Sequence, residues 1–251
     1  MGVVSDAFPL LRKVDGAIAV TRIGRGSTRR RCINVAESYR YAVFMSDIRQ
    51  HPDAIALNQI AYGQDGFFTS RQGRECGFSA QLLAHHVRSG RYERVRRGLY
   101  RLRGYPGSSR EEVREKWLAV GAERAVVSHE SALELHSLSD VLPNTVHLLV
   151  SRAERGIKPP QGVTLHTTSQ ALEPSEVVTR EGIRVTAPAR SILDAAGAGT
   201  APEQIEMAVR QALEEGLVTH RALLSQAGRR GGRVAELVLR AGTRATVAWV
   251  S

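Results

Sequence analysis

Residues 66–104 read GFFTSRQGRECGFSAQLLAHHVRSGRYERVRRGLYRLRG, and their caps and glycines leave little choice of fold. Thr69-Ser70 can cap a helix over residues 71–76, because a side-chain oxygen there satisfies a first-turn amide that has no helical partner. Gly77 then ends that helix, since a residue without Cβ takes the left-handed conformation at little cost. Ser79 opens a second helix that runs to about Ser89 and stops at Gly90. A short turn containing glycine between two such helices is the helix-turn-helix unit. Residues 92–96 and 99–102 are β-prone runs around Arg97-Gly98, which predicts a hairpin. Residues 66–69 add a short strand that pairs with it.

The second helix is two-sided. Leu82, Leu83 and Val87 fall together at helical spacing. Ser79 stands at its start, and Gln81, Ala84, His85 and Arg88 fall opposite the apolar stripe. A small polar-to-basic face of this kind suits a helix lying in the major groove of DNA. The hairpin carries Arg94, Arg96, Arg97 and Arg101, the pattern of a wing over phosphates. The plainer alternative is a small helical core beside a solvated basic hairpin. Charge placement favours the first reading. Residues 66–104 hold nine Arg and two Glu, a net +7, whereas residues 105–251 hold seventeen basic and seventeen acidic groups. A concentrated positive field fits an anionic polymer as partner. Basic residues are nearly all Arg, with lysine only at Lys13, Lys116 and Lys158. Arg suits bidentate phosphate contacts, although a GC-rich genome gives the same bias.

The chain therefore reads as α+β, a winged helix-turn-helix over residues 45–104 followed by a mixed α/β domain. Residues 1–44 are expected to lack a stable fold, either as a misassigned extension ahead of a natural start at Met45 or as a disordered basic arm. A first helix covers residues 52–62, with Ile55, Ala56 and Ile60 turned toward the helix-turn-helix core. A linker follows at 105–109, and the second domain spans 110–240 ahead of a tail at 241–251. In that domain a helix over 110–122 buries Val113, Trp117, Leu118 and Val120. Ser128 caps a helix to about Leu138, with Ala132, Leu133 and Leu135 on or near its apolar side. Residues 145–150 and 162–166 are β-runs, and 176–180 pairs with 183–186 around Glu181-Gly182. Helices cover 190–196, 202–215, 219–227 and 234–240. Five per cent aromatic content argues against stacking platforms for single strands. No apolar run is long enough to span a membrane. Two cysteines, Cys32 and Cys76, suggest neither a disulfide framework nor zinc, and fit a reduced, cytoplasmic setting.

The residues 66–106 resemble the N-terminal winged domain of the AbiEi family, antitoxins of type IV toxin–antitoxin systems. SHESALELHSLSDVLPNTVHLLV and GIRVTAPARSILDAAG resemble the segments that follow, so the likeness runs from about Ile55 to Leu239. It implies a non-enzymatic repressor that binds repeats in its own promoter. The implied counterpart is a nucleotidyltransferase-like toxin, opposed without a stable complex. The resemblance assigns Ser79, Gln81, His85 and Arg88 to the recognition helix and Arg94, Arg96, Arg97 and Arg101 to the wing. A stand-alone regulator without a toxin is the nearest alternative. Some relatives continue past the equivalent of Arg240 into an endonuclease-like fold. This sequence closes at Ser251, so no nuclease is expected.

Other chemistry is weaker. His129 and His136 are seven apart, and with His147 or His166 they could form a zinc site. Packing and hydrogen bonding explain them more simply, so no metal or cofactor is expected. Ser128, His129 and Glu130 are neighbours in sequence, which says nothing of a triad assembled in space. Asp194 and Glu206, carboxylates on separate helices, are expected to be solvated. Metal-dependent nicking that required Asp194 would instead indicate a hydrolase. Gly228–Gly232 lacks the Lys-Ser/Thr ending of a phosphate-binding loop and reads as an inter-helix loop, with at most a secondary phosphate contact.

Overall fold

The computed structural model describes residues 10–14, 17–21 and 51–247, which fall in two compact units, 1–51 and 52–251. In the first, where no fold is expected, β1 (Leu10–Val14) and β2 (Ala17–Thr21) pair as an antiparallel ladder. The rest of residues 1–44 lies outside the described residues.

The second unit begins with α1 (Ala54–Tyr62), capped by Asp53, whose carboxylate accepts from the Ala56 amide at 2.9 Å. Leu57 and Ala61, four residues apart, are the buried side of this helix. That corrects the expected face: Ile55 lies on the other side, 73% exposed, and Ala56 and Ile60 are only half-buried. Then come β3 (Phe67–Thr69), α2 (Ser70–Glu75), α3 (Ala80–Arg88), β4 (Tyr92–Arg96) and β5 (Leu99–Leu102). The three strands form one sheet, ordered β3-β5-β4 and antiparallel throughout.

Further along are α4 (Glu111–Val120), β6 (Ala125–Val127), α5 (His129–Leu135), β7 (Val146–Ser151), β8 (Val163–Thr168), β9 (Val177–Arg180) and β10 (Ile183–Thr186). Helices α6 (Pro188–Ala198), α7 (Pro202–Glu214), α8 (His220–Arg230) and α9 (Gly232–Val247) complete the unit. The expected tail at 241–251 is thus helical as far as Val247. The larger sheet runs β8-β7-β6-β10-β9, with β7–β8 and β6–β10 parallel and the other pairs antiparallel. Both sheets and helices pack into α+β architecture. The tight turn Gly231 is all that separates α8 from α9, so Gly228–Gly232 is mostly helix rather than an open loop.

Three apolar cores result among the described residues. Leu57, Ala61, Phe68, Phe78, Leu83 and Tyr92 form the small one. The second joins Trp117 and Val113 of α4 to Val127, Leu148 and Val185 of the large sheet. The third lies among α5 to α9 around Leu133, Ile192, Val209 and Val238. Alternation along β3 ties the first two together. Phe68 points into the small core, whereas Phe67, with Leu99 from β5, points into the core of α4 and the large sheet. The sequence breaks at residues 104–109, but the packing continues across that break. Gly66 marks how close the approach is: its φ is +81°, and an added Cβ would sit 2.6 Å from the Tyr105 ring.

Candidate functional site

The helix–turn–helix is built by local chemistry. Thr69 and Gln72 cap α2 reciprocally. The Gln72 amide donates to Thr69 Oγ1 at 3.2 Å, and the Thr69 amide donates to Gln72 Oε1 at 2.8 Å. Gly73 lets α2 approach α3, since a Cβ there would press on Leu83 Cδ1 at 3.2 Å. Phe78 in the turn is buried and anchors it. Ser79 caps α3 by accepting from the Leu82 amide at 3.1 Å.

Helix α3 buries Leu83, half-buries Leu82 and Val87, and leaves Gln81, Ala84, His85 and Arg88 exposed. Its last turn carries His85, His86 and Arg88, and the Arg88 guanidinium sits at the negative end of the helix dipole. His86 packs edge-on against Tyr92, and burial, then Arg91 and His85, hold its pKa below the usual value.

The hairpin does not present its arginines uniformly. Val95 is a β-bulge: Arg94 is opposite Tyr100, but Arg96 is opposite Leu99. A regular ladder would put Arg94 and Arg96 on one face; the extra residue throws them onto opposite faces. Arg94 and Arg97 are exposed. Arg96 and Arg101 share the face of Leu99 and Phe67, turned toward α4, and do not lie open as the sequence pattern predicts. Arg96 donates to Glu115 at 2.5 Å, and Arg101 to Glu111 at 2.7 Å with its side chain 15% exposed. Nearby, Arg114 reaches Asp65 at 2.6 Å and the Glu181 carbonyl at 2.5 Å. Arg71 pairs with Glu75 and Glu123. Within residues 66–104, Arg74, Arg88, Arg91, Arg94 and Arg97 have no ion-pair partner among the described residues. The uncompensated charge is therefore narrower than composition implies, and it is carried by Arg74 on α2, by Arg88 and Arg91 at and just after the end of α3, and by Arg94 and Arg97 of the hairpin.

The histidines divide differently from the expected pairing by helical spacing. His136 caps the end of α5 and donates from Nε2 to the Thr186 carbonyl at 2.7 Å. His129 instead meets His147 and His166, with a nitrogen from each ring all lying within 4.8 Å of one another. Burial first, then His166 and His147, depress the His129 pKa to about 3. Beside them a cavity of about 860 Å³ is lined by His129, His166, Thr168, Glu176, Arg190 and Asp194 among others. Asp194 is buried, contrary to the solvated role expected for it, because α6 turns it inward. Arg190 Nε donates to its Oδ2 at 2.8 Å, and Arg230 donates to its Oδ1. With both oxygens held by guanidinium groups, Asp194 is a structural anion. Glu206 lies half-buried on the neighbouring α7. One feature of the Arg190–Asp194–Arg230 cluster is visible in the sequence, the i, i+4 spacing of Arg190 and Asp194; Arg230 is brought in only by the packing of α8.

No helix among the described residues is long and apolar enough to cross a membrane. No curated protein matches the chain. Residues 56–103, which are α1, the two helices around Gly77 and the hairpin, match the family model described as "Transcriptional regulator, AbiEi antitoxin". That segment, about a fifth of the chain, is similar to the AbiEi family of antitoxins and transcriptional regulators.

Proposed function

We propose that residues 52–104 are a winged helix-turn-helix that binds double-stranded DNA sequence-specifically and represses the chain's own promoter. The observation that carries this reading is α3: its exposed face of Gln81, Ala84, His85 and Arg88 adjoins a hairpin whose tip bears the unpaired Arg94 and Arg97. Gln81 and Arg88 have the bidentate donor–acceptor geometry that reads adenine and guanine edges. Ser79 and His85 flank them, and Arg94 and Arg97 are assigned to phosphates. Arg96 and Arg101 are assigned an indirect part, holding the wing on α4. The small core supports this division, because it fixes both elements relative to one another.

Anisotropy titrations with duplexes from the upstream region and with random duplex test it. Gln81→Ala or Arg88→Ala is expected to cost about 1–3 kcal/mol on the preferred site and to relax preference there. If both variants keep wild-type preference, α3 is not the reading helix. We further propose an antitoxin of a type IV pair, a cytoplasmic and non-enzymatic protein opposing a nucleotidyltransferase-like toxin without a stable complex; the words regulator and antitoxin in the matched family's description support the antitoxin part of that reading. Coexpression with the product of an adjacent nucleotidyltransferase-like gene tests that part: growth is restored by this chain, and the two do not copurify. A stand-alone regulator gives repression without rescue.

A further inference from the structure

Strand alternation places His147 of β7 and His166 of β8 on one face of the large sheet. Leu148 and Val150 of β7 join the α4 core, so their neighbours His147 and Leu149 face the other way, and the register pairs Leu149 with His166. The first residue of α5, His129, leans over this face. Its φ is +53°, a conformation that L side chains rarely adopt and that the surrounding structure must impose. The ring of His129 then stacks on that of His166 with centroids 3.5 Å apart.

We propose that His129, His147 and His166 bind one divalent transition-metal ion of the class that prefers imidazole, with Zn²⁺ as its representative, and that its remaining position opens toward the cavity. Zinc–nitrogen bonds of about 2.0–2.1 Å in a tetrahedron set ligand nitrogens about 3.3–3.4 Å apart. His147 Nδ1 and His166 Nε2 are already 3.1 Å apart. One nitrogen from each of the three rings lies within 4.8 Å of the others, so closing the set asks for movements on the order of 1.5 Å. Two of the outer nitrogens face polar groups, one of them within hydrogen-bond distance. His129 Nδ1 is 2.8 Å from Ser128 Oγ, leaving Nε2 for the ion. Glu130 Oε2 stands 4.0 Å from His147 Nε2, and Thr200 Oγ1 holds the other carboxylate oxygen at 2.8 Å. Glu130 is placed so that a small approach on metal binding would give His147 the carboxylate partner that fixes a ligating imidazole's tautomer and raises its basicity. Three imidazoles with one open position form a set that suits Zn²⁺, Cu²⁺ or Ni²⁺, and not Mg²⁺ or Ca²⁺.

The test uses the full chain, stripped with EDTA, dialysed against Zn²⁺ and analysed for metal content. One Zn²⁺ per chain is expected, unchanged in His136→Gln and in the His85→Ala/His86→Ala double variant. Affinity is expected to fall at least tenfold in His147→Ala and in His166→Ala. Co²⁺ should give the intense visible bands of a low-coordinate site, lost in the same two variants. If either substitution costs the fold by circular dichroism, imidazole resonances of the wild-type chain decide. Zn²⁺ must then shift His129, His147 and His166 together. Failure of the wild type to retain metal, retention undiminished in folded His147→Ala and His166→Ala, or shifts confined to other histidines would each overturn the proposal.

Discussion

Arg94, Arg96, Arg97 and Arg101 carry the same charge on one hairpin, yet their removal acts through different partners. Arg94 and Arg97 are exposed and unpaired among the described residues. Replacing either by alanine should weaken promoter and random duplex alike and lower the log–log salt slope by about 0.9 for each phosphate no longer neutralised. Circular-dichroism melting should be unchanged. Arg101→Ala differs, because it leaves Glu111 without its bidentate partner. A charge-assisted pair of this kind, partly open to water, is worth about 1–2 kcal/mol. Melting temperature should fall with binding, while the salt slope of the residual binding stays near wild type. A slope change without a stability change for Arg101→Ala would return it to the phosphate-contacting set. The sorting was half legible. Arg101 stands two residues from Leu99 on β5 and opposite Phe67 on β3, so its inward turn could be read from period two. The bulge at Val95, which separates Arg94 from Arg96, has no glycine or proline to announce it.

At the scale of elements, the short sheet β3–β5–β4 is the joint between the segment that matches the AbiEi family and the rest of the unit. Phe67 and Phe68 are both almost fully buried, on opposite faces. Truncating either leaves a cavity and costs about 3–5 kcal/mol. Phe67→Ala should lower the melting temperature of residues 52–247 as one calorimetric transition, since the Phe67 ring packs in the core of α4 and the large sheet. Two separated transitions in the wild type would show that the joint does not couple them. The caps explain why the smaller elements were legible: Thr69, Gly77, Ser79 and Gly90 act on their own neighbours. The strand β6 was not, because Ala125–Val127 is only three residues long and takes its identity from β7 and β10 beside it. Ile55 misled for a related reason: on a nine-residue helix, which face is buried depends on where the neighbours sit, and hydrophobicity alone chose the wrong one. Adjacent phenylalanines in one strand were a sign of two-sided burial that the sequence pattern did carry.

For the whole unit, four histidines make folding depend on pH in a direction that can be worked out. Burial is the largest cause that lowers the pKa of His129, His136, His147 and His166. Arg190 and Arg230 add to it at His129, and Arg180 at His136. Glu130 opposes it at His147, Asp194 at His166 and the Thr186 carbonyl at His136. His136 Nδ1 has no partner among the described residues, so a proton placed there would be buried and unbonded. In the unfolded chain these rings take up protons near pH 6.5; in the folded chain they do so only at lower pH, about 3 for His129. Between those values the unfolded state binds more protons, so stability rises with pH. The contribution is complete above about pH 6.5 and is lost as pH falls toward the folded values. Melting temperature, measured in EDTA so that no metal contributes, should therefore fall steadily from pH 7 to pH 4. His136→Gln can keep a donor to the Thr186 carbonyl but cannot be protonated, so its melting curve should shift less over the same range. A melting temperature that stays flat between pH 7 and pH 4 in the wild type would mean that these rings are as solvated in the folded chain as in the unfolded one, and that α5 packs too loosely against β7, β8 and β10 to keep water from them.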